Sequence, residues 1–440
     1  MSSESVKISI KSKRLSGTIH LTGSKSESNR ALIMQALSAS AVQVKNTSEA
    51  ADTVTLLGIL QPEGGEIKAE SGKRKAQSGK RKAESGKLEA EGSELIDIGP
   101  AGTAMRFLSA YYSLQDSEVV LTGSARMKQR PIGILVDALK SLGAEIGYAE
   151  KDGYPPLKIR GPLSQKSDKI AIQGNISSQY ISALLLIAPR LENGLDLMIE
   201  GELTSRPYVE MTLAMMSQAG INYNWEGNTI KIRNQPFAAC TISVEPDWSA
   251  ASYWYAIAAL SEEAEIFLPG LNGYSLQGDS KITEIMANFG ITSQFKDGGV
   301  LIKKEPKKVE RKIFDFKECP DLAQTVIVVC AALGHDATFT GLETLKIKET
   351  DRVNALQVEL AKIGVKLIEK NLTYKLDCSG RDLSRSISVS TYDDHRMAMA
   401  FAPLALVLNG MEIEDHRVVD KSYPHFWSDL ISLGYIVEIV

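Results

Sequence analysis

Six times along this chain a helical run of apolar residues stops at a glycine set between apolar neighbours, and an extended segment follows. The six sites are Leu57-Gly58-Ile59, Leu142-Gly143-Ala144, Ala219-Gly220-Ile221, Phe289-Gly290-Ile291, Ile363-Gly364-Val365 and Leu433-Gly434-Tyr435. Glycine just past the last periodic residue is the expected helix stop, because it enters the left-handed region without steric cost. The glycines lie 85, 77, 70, 74 and 70 residues apart, and a 21-residue insertion accounts for the longest gap. Such self-similarity predicts six pseudo-symmetric units that must stack to bury their apolar faces. Within the units, short β-rich runs end in glycine ahead of a helical pattern, as in Ile19-His20-Leu21-Thr22-Gly23 and Thr338-Phe339-Thr340-Gly341. Strands and helices alternating at this rhythm predict an α/β protein. At 440 residues the chain is too long for one core, so two domains of three units are expected, divided near residue 243.

The insertion, residues 68–88, is a heptad written three times, KAESGKR, KAQSGKR and KAESGKL, with eight Lys/Arg against two Glu. The net charge of −4 therefore divides into +6 there and −10 elsewhere. The heptads have no a/d apolar seam, which excludes a coiled coil, and their composition buries nothing. A solvated surface loop is expected, and the acidic remainder offers no general attraction for nucleic acid. No apolar run reaches the ~18 residues of a membrane span, and the start lacks a signal-peptide pattern. Cys240, Cys319, Cys330 and Cys378 are widely spaced, without a CxxC pair. They read as reduced packing thiols in a cytoplasmic protein with no metal and no cofactor.

The segments that open the helices carry a charge pattern that packing does not require. Gly23-Ser24-Lys25-Ser26 leads into Arg30, and Ala101-Gly102-Thr103 leads into Arg106. Arg126, Lys128 and Arg130 fall in one such segment, and Ser177-Ser178-Gln179 and Ser205-Arg206-Pro207-Tyr208 form two more. Lys348-Glu349-Thr350-Asp351-Arg352, Asp394-His395-Arg396 and Lys421-Ser422 complete the set. Exposed amides at a helix start already favour anions, and a cation there opposes the macrodipole unless an anion arrives. Eight such segments on an acidic body predict one convergent anion cleft. The first loop lacks the Gly-x-x-x-x-Gly-Lys spacing of a P-loop, which excludes that class of ATPase. Asp247, Asp321 and Glu349 are the acidic partners, since a carboxylate among cations stays ionised and can take a proton from a hydroxyl. Asp247 and Asp321 each also precede an apolar helical run, where a carboxylate serves equally well as an N-cap. Asp351 is expected to orient Arg352, and His395 joins the set through its neighbours Asp394 and Arg396.

Taken together, these runs, with Gln277-Gly278-Asp279 and Met397-Ala398-Met399, resemble the signature segments of the 5-enolpyruvylshikimate-3-phosphate synthase family. They occur in that family's order from residue 23 to about 421. The resemblance implies a two-domain inside-out α/β barrel of six βαβαββ units, three per domain. Residues 21–243 would form one domain and residues 1–20 with 244–440 the other. It implies transfer of the enolpyruvyl group of phosphoenolpyruvate to the 5-hydroxyl of shikimate 3-phosphate, in the shikimate pathway to chorismate and aromatic amino acids. Carried over by position, shikimate 3-phosphate would be held by Lys25, Ser26, Arg30, Ser177, Ser178, Gln179, Ser205, Tyr208, Asp321 and Lys348. Phosphoenolpyruvate would be held by Lys25, Gly102, Arg126, Gln179, Arg352, Arg396 and Lys421. Asp321 would accept the hydroxyl proton, Glu349 or Lys25 would protonate the methylene carbon, and Asp52, Asp247, Asp394 and His395 would support them. The two small molecules are the expected partners of a monomer that binds neither nucleic acid nor membrane, and glyphosate is the expected inhibitor.

Three positions depart from the family pattern: Pro100 and Phe107 stand for Asn and Pro around the Ala101-Gly102-Thr103 loop, and Thr344 for a substrate-contacting Asn. UDP-N-acetylglucosamine enolpyruvyl transferase, which shares the barrel, would carry a Lys-Asn pair in the first loop and a reactive Cys near residues 124–128; this chain has neither. A non-catalytic phosphosugar-binding protein of the same fold would lack Asp321, Glu349 or the cations, and all are present.

Overall fold

Burial alternates along several strands and runs all the way round the central helices, and this inversion sets the architecture. Strand Lys169–Gln173 exposes every second residue, so one face of its sheet meets solvent. In helix Trp248–Leu260 every residue but Ser249 is buried, and helix Ala323–Leu333 is buried along nearly its whole length. Helices apolar on all sides belong at the centre of a fold, and here the sheets wrap outside them. The computed structural model describes residues 4–60 and 93–440; the heptad insertion at 68–88 lies outside the described residues.

The repeated unit is plain at residues 94–160. Strands Glu94–Asp97 and Glu118–Thr122 run parallel with helix Gly102–Tyr112 between them. Helix Gly133–Leu142 then leads into the antiparallel pair Glu145–Tyr148 and Leu157–Arg160. The same βαβαββ order recurs at 169–232 and at 313–377. Two further sheets are completed by the N-terminal strands. Val6–Ile10 pairs antiparallel with both Gly410–Ile413 and Tyr435–Ile439, and Arg14–Thr18 runs parallel to Glu263–Pro269. The unit that carries the insertion contributes, among the described residues, the parallel pair Val42–Lys45 and Cys240–Ser243.

Two hydrophobic cores result. One draws on residues 6–21 and 248–435, the other on residues 31–242. The fold is thus the expected two-domain inside-out α/β barrel. The chain crosses between the cores twice, and the crossings are pinned together. Ser24 N–H donates to Glu245 O at 2.7 Å, Asp247 N–H donates to Thr22 O at 3.0 Å, and Glu245 N–H donates to Glu27 Oε2 at 3.0 Å. Among the described residues no helix is long and apolar enough to cross a membrane. The four cysteines are unpaired, three of them buried.

Candidate active site

Helix starts from both bodies meet at one open cleft of about 1330 Å³, its mouth included. Lys25 is the first residue of helix Lys25–Leu37, Gly102 of Gly102–Tyr112, Ser178 of Ser178–Ile187 and Arg352 of Arg352–Ala361, and all four line the cleft. The amide ends of these helices and their side chains give the cavity a positive wall.

On the first body, Ser24 caps its helix and Lys25 N–H donates to Asp247 Oδ2 at 3.1 Å. The Lys25 ammonium lies 3.3 Å from Asp52 Oδ2. Arg30 is 2% exposed and has oxygen partners but no carboxylate. It donates to Thr212 Oγ1 at 2.7 Å, Ser26 O at 2.8 Å, Ser182 Oγ at 3.1 Å and Tyr208 O at 3.2 Å. The Phe107 ring, the residue that departs from the family pattern, packs 5.5 Å from this guanidinium. Burial holds Arg30 down at about 10. Ser177 caps its helix by accepting from Gln179 N–H at 3.3 Å, and Gln179 Nε2 donates to Thr103 Oγ1 at 3.2 Å. Ser205 sits at φ 55°, a conformation that costs a non-glycine residue free energy and clusters at functional sites. The Tyr208 hydroxyl is pushed well above its ordinary range by burial, then by Asp279 and Asp321, so it remains a neutral donor.

The second body supplies an ion network. Arg352, 2% exposed, donates to Asp394 Oδ2 at 2.6 Å, to Glu349 Oε2 at 2.9 Å and to Asp321 Oδ1 at 3.0 Å. Arg396 reaches Asp321 Oδ2 at 2.9 Å. Glu349 Oε1 lies 3.0 Å from Lys421 Nζ and 3.6 Å from Arg130 of the first body. Burial would raise the Asp321 carboxyl, but Arg396, Lys348 and Arg352 together hold it far below its ordinary range. Glu349 is held well below its range in the same way, burial being outweighed by Lys421, Arg130 and Arg352. Both carboxylates are ionised. Burial lowers the Lys348 ammonium and, with Lys25 and Arg396, keeps His395 neutral.

The two capping expectations separate. Asp247 is a cap: its Oδ1 accepts from Ala250 N–H at 3.1 Å, while its other oxygen holds Lys25. Asp321 caps nothing, because helix Ala323–Leu333 starts without a side-chain cap and both Asp321 oxygens go to arginines. Asp351 caps helix Arg352–Ala361 through Asn354 N–H, so the side chain that orients Arg352 is Asp394.

Three expected residues do not themselves line the cleft: Lys421 and Asp394, which lie behind it and pair with Glu349 and Arg352, and Arg126. Arg126 donates from Nε to Glu349 O at 2.8 Å and from Nη2 to Lys348 O at 3.0 Å, the carbonyls of two residues that line the cleft. Arg130, four residues on, lines the cleft instead. A Cβ on Gly102 would stand 2.5 Å from Arg130 Nη1, so only glycine leaves that guanidinium its place. Two other charged helix starts also stay out: Lys128 pairs with Glu150 and Arg206 with Glu210 at the surface. The sequence reading also passed over Ser249, which lines the cleft and donates to the buried Asp279. Asp279 is raised to about 7 by burial, then by Asp321. The Gln277-Gly278-Asp279 run was the available signal, but nothing in it says what the carboxylate touches. Pro100 lends its carbonyl to Lys421 Nζ at 3.1 Å. Thr344 Oγ1, Arg130 Nε and both His395 nitrogens are buried cleft atoms without a hydrogen-bond partner among the described residues.

Comparison with known proteins gives the chain its relatives. A family model described as EPSP synthase (3-phosphoshikimate 1-carboxyvinyltransferase) matches residues 10–430. A Bacteroides fragilis protein named 3-phosphoshikimate 1-carboxyvinyltransferase is 44% identical over 429 residues, 97% of this chain and 97% of that protein. A protein of the same name from Histophilus somni is 35% identical over 423 residues, 94% of this chain and 96% of the relative. Among solved structures, EPSP synthase from Acinetobacter baumannii aligns with a TM-score of 0.73 at 21% identity, covering 99% of this chain and 100% of that one. The enolpyruvyl transferase NikO from Streptomyces tendae aligns with a TM-score of 0.71 at 14% identity, covering 100% and 99%. At such identities the two structural likenesses speak for the fold alone.

Proposed function

The chain belongs to the EPSP synthase family and transfers the enolpyruvyl group of phosphoenolpyruvate to shikimate 3-phosphate in aromatic amino acid biosynthesis, and from that premise we propose how its own residues divide the work. The observation that carries the reading is the meeting of Lys25 and Arg130 from one body with Arg352, Arg396 and Lys421 from the other, around the ionised Asp321 and Glu349. Each substrate brings a phosphate of about −1.5 to −2 charge as well as a carboxylate. Their repulsion must be offset before they can be held within reacting distance.

Phosphoenolpyruvate is held by Lys25, Arg130, Arg352, Arg396 and Lys421 beside Gly102, with Gln179 between the two ligands. Shikimate 3-phosphate is held by Ser26, Arg30, Ser177, Ser178, Ser205, Tyr208 and Lys348. The unpaired Thr344 hydroxyl takes the contact that the family gives to Asn. Asp321 accepts the proton of the 5-hydroxyl as its oxygen attacks the central carbon of phosphoenolpyruvate, and the methylene carbon is protonated. Elimination from the tetrahedral adduct then releases phosphate. Glu349 is held ionised by three cations, so it becomes a proton donor only after substrate anions draw those cations off. Lys25, the other expected donor, faces no such requirement. Residues 21–243 form one domain and residues 1–20 with 244–440 the other. The protein is proposed to work as a monomer.

Phosphate release should require phosphoenolpyruvate and shikimate 3-phosphate together. Turnover with UDP-N-acetylglucosamine in place of shikimate 3-phosphate would overturn the reading. Gly102→Ala pushes the flexible end of Arg130 rather than the backbone, so stability should hardly change. The Michaelis constant for phosphoenolpyruvate should rise by something like 10-fold, because a cation is displaced from the reacting group. Steady-state kinetics on the variant decide this, and an unchanged constant would show that Arg130 does not serve that substrate.

A further inference from the structure

Glu359 is a wholly buried carboxylate outside the cleft, with no part in the chemistry above. It lies in helix Arg352–Ala361, two turns after Arg352 and therefore on the same face. Its Oε1 accepts from the Tyr392 hydroxyl at 2.8 Å. Its Oε2 accepts from Ser390 N–H at 3.3 Å and lies 2.7 Å from the Lys362 ammonium. The segment it grips is strained. Tyr392 and Asp393 both stand at φ 56°, in a turn closed by Asp394 N–H donating to Thr391 O at 2.9 Å. A turn with both central residues left-handed suits glycine, asparagine or aspartate, and a bulky tyrosine there costs free energy. Directly after the turn come groups the cleft depends on. Asp394 accepts from Arg352 Nε at 2.6 Å and from Arg396 N–H at 2.8 Å, and Arg396 in turn holds Asp321.

We infer that Glu359 and Tyr392 are positioning residues, a strut that holds the left-handed turn at 391–394 and so sets Asp394, Arg352 and Arg396 for phosphoenolpyruvate. The helix is tied to this segment at two points, Arg352 to Asp394 and Glu359 to Tyr392. Two ties fix an orientation where one would leave a pivot. A strained backbone persists only where its surroundings over-determine it. Here the Tyr392 ring packs against the core while its hydroxyl is anchored on a carboxylate that cannot move to solvent. If that anchor is lost, the turn can relax toward ordinary φ, and both arginines shift with Asp394. The inference rests on the enolpyruvyl-transfer reading for its kinetic consequence and on geometry alone for the strut. In that reading Arg352 and Arg396 serve phosphoenolpyruvate, while the residues for shikimate 3-phosphate lie mainly on the other body. The two substrates should therefore respond differently.

The test uses Tyr392→Phe, Asp393→Gly and the two combined, assayed well below the unfolding transition. Tyr392→Phe keeps the ring and its packing and removes only the hydroxyl. Asp393 is exposed, and glycine in its place enters positive φ without steric cost, so the turn no longer needs the strut. In Tyr392→Phe, kcat/KM for phosphoenolpyruvate should fall roughly 10-fold, the effect of a shift smaller than the ~1 Å that costs about 100-fold. The Michaelis constant for shikimate 3-phosphate should stay within about threefold of the parent. Hydrogen exchange in residues 391–396 should rise without substrate. Asp393→Gly alone should match the parent within about threefold, and added to Tyr392→Phe it should recover most of the loss. A hydroxyl that served stability alone would lower the urea midpoint and leave the kinetics of Tyr392→Phe within threefold of the parent, which would overturn the strut. So would an equal rise in the Michaelis constant for shikimate 3-phosphate, or a glycine that deepens the loss. A parent that releases no phosphate from the substrate pair would defeat the functional reading instead, while the exchange of residues 391–396 would still decide the strut.

Discussion

Replacing Asp321 by asparagine should lower turnover by something like 10²–10⁴-fold, the range typical when a general base is removed. Asparagine caps helices about as well as aspartate, so a capping role would have made the change nearly silent. Asp321 has no such role, since its oxygens lie 3.0 Å from Arg352 and 2.9 Å from Arg396. Those two cations hold the carboxylate ionised, which also makes it a weak base as it stands. Two substrate anions competing for the same guanidinium groups would loosen both ion pairs and raise its basicity when the hydroxyl arrives. The amide keeps one acceptor oxygen, so calorimetric affinity for shikimate 3-phosphate should change much less than turnover. The pH dependence follows from the direction of the shift. Because Asp321 in the free protein titrates below its ordinary value of 3.8, kcat/KM should show no acid limb from this group between about pH 5 and 8. The limb in kcat, which reports the complex, should sit higher. Turnover of the variant within about threefold of the parent would remove Asp321 from the chemistry.

The largest effect on stability is expected at Arg352. Its side chain is 2% exposed and joins Asp394, Asp321 and Glu349, of which Asp394 is wholly buried. Arg352→Met fills much of the volume but strands the wholly buried Asp394. It takes one cation each from Asp321, which keeps Arg396, and from Glu349, which keeps Lys421 and Arg130. Breaking a buried ion pair from one side costs about 3–5 kcal/mol, because the remaining charge stays desolvated. The loss should appear as a lower urea midpoint for the transition of the body built on residues 6–21 and 248–435. Its pH dependence has a definite sign. In the parent, Asp321 and Glu349 have folded-state values below the unfolded 3.8 and 4.5. Their stabilising contribution is therefore present above those values and fades as pH falls through the folded ones. The variant loses the part of that contribution that Arg352 supplies, so the gap between the two proteins should be full at pH 7 and narrow as these carboxylates protonate in acid. Adding Asp394→Asn to Arg352→Met should recover part of the loss, since one uncompensated charge is removed. A gap that stays constant from neutral to acid pH, or a second change that only adds to the damage, would show that the network stabilises by packing rather than by charge.

What the chain revealed before folding was local in origin. Five of the six glycine stops act where they are written, with positive φ at Gly143, Gly220, Gly290, Gly364 and Gly434, whereas Gly58 lies inside helix Ala51–Leu60 and ends nothing. These stops, the strand runs and the cations at helix starts are local signals, and they led to the barrel and to the family. Asp247 as a cap was legible for the same reason, because a cap bonds an amide three residues away. The spacing of Arg126 and Arg130 was equally legible, yet it could not say which of them enters the cleft. Both flank the short helix Met127–Gln129, and the outcome depends on two carbonyls more than 220 residues away.

The same limit applied to the acids. Asp321 before an apolar run reads equally as a cap or a base, and arginines 31 and 75 residues distant take the oxygens that a cap would need. Asp279 behind Ser249 was invisible for want of any local sign of its partner. Local periodicity and propensity act through neighbouring backbone and are therefore carried by the sequence itself. Ion pairs, burial and the titration they shift depend on which side chains the packing of two cores brings within a few ångströms, and the tertiary structure alone decides that.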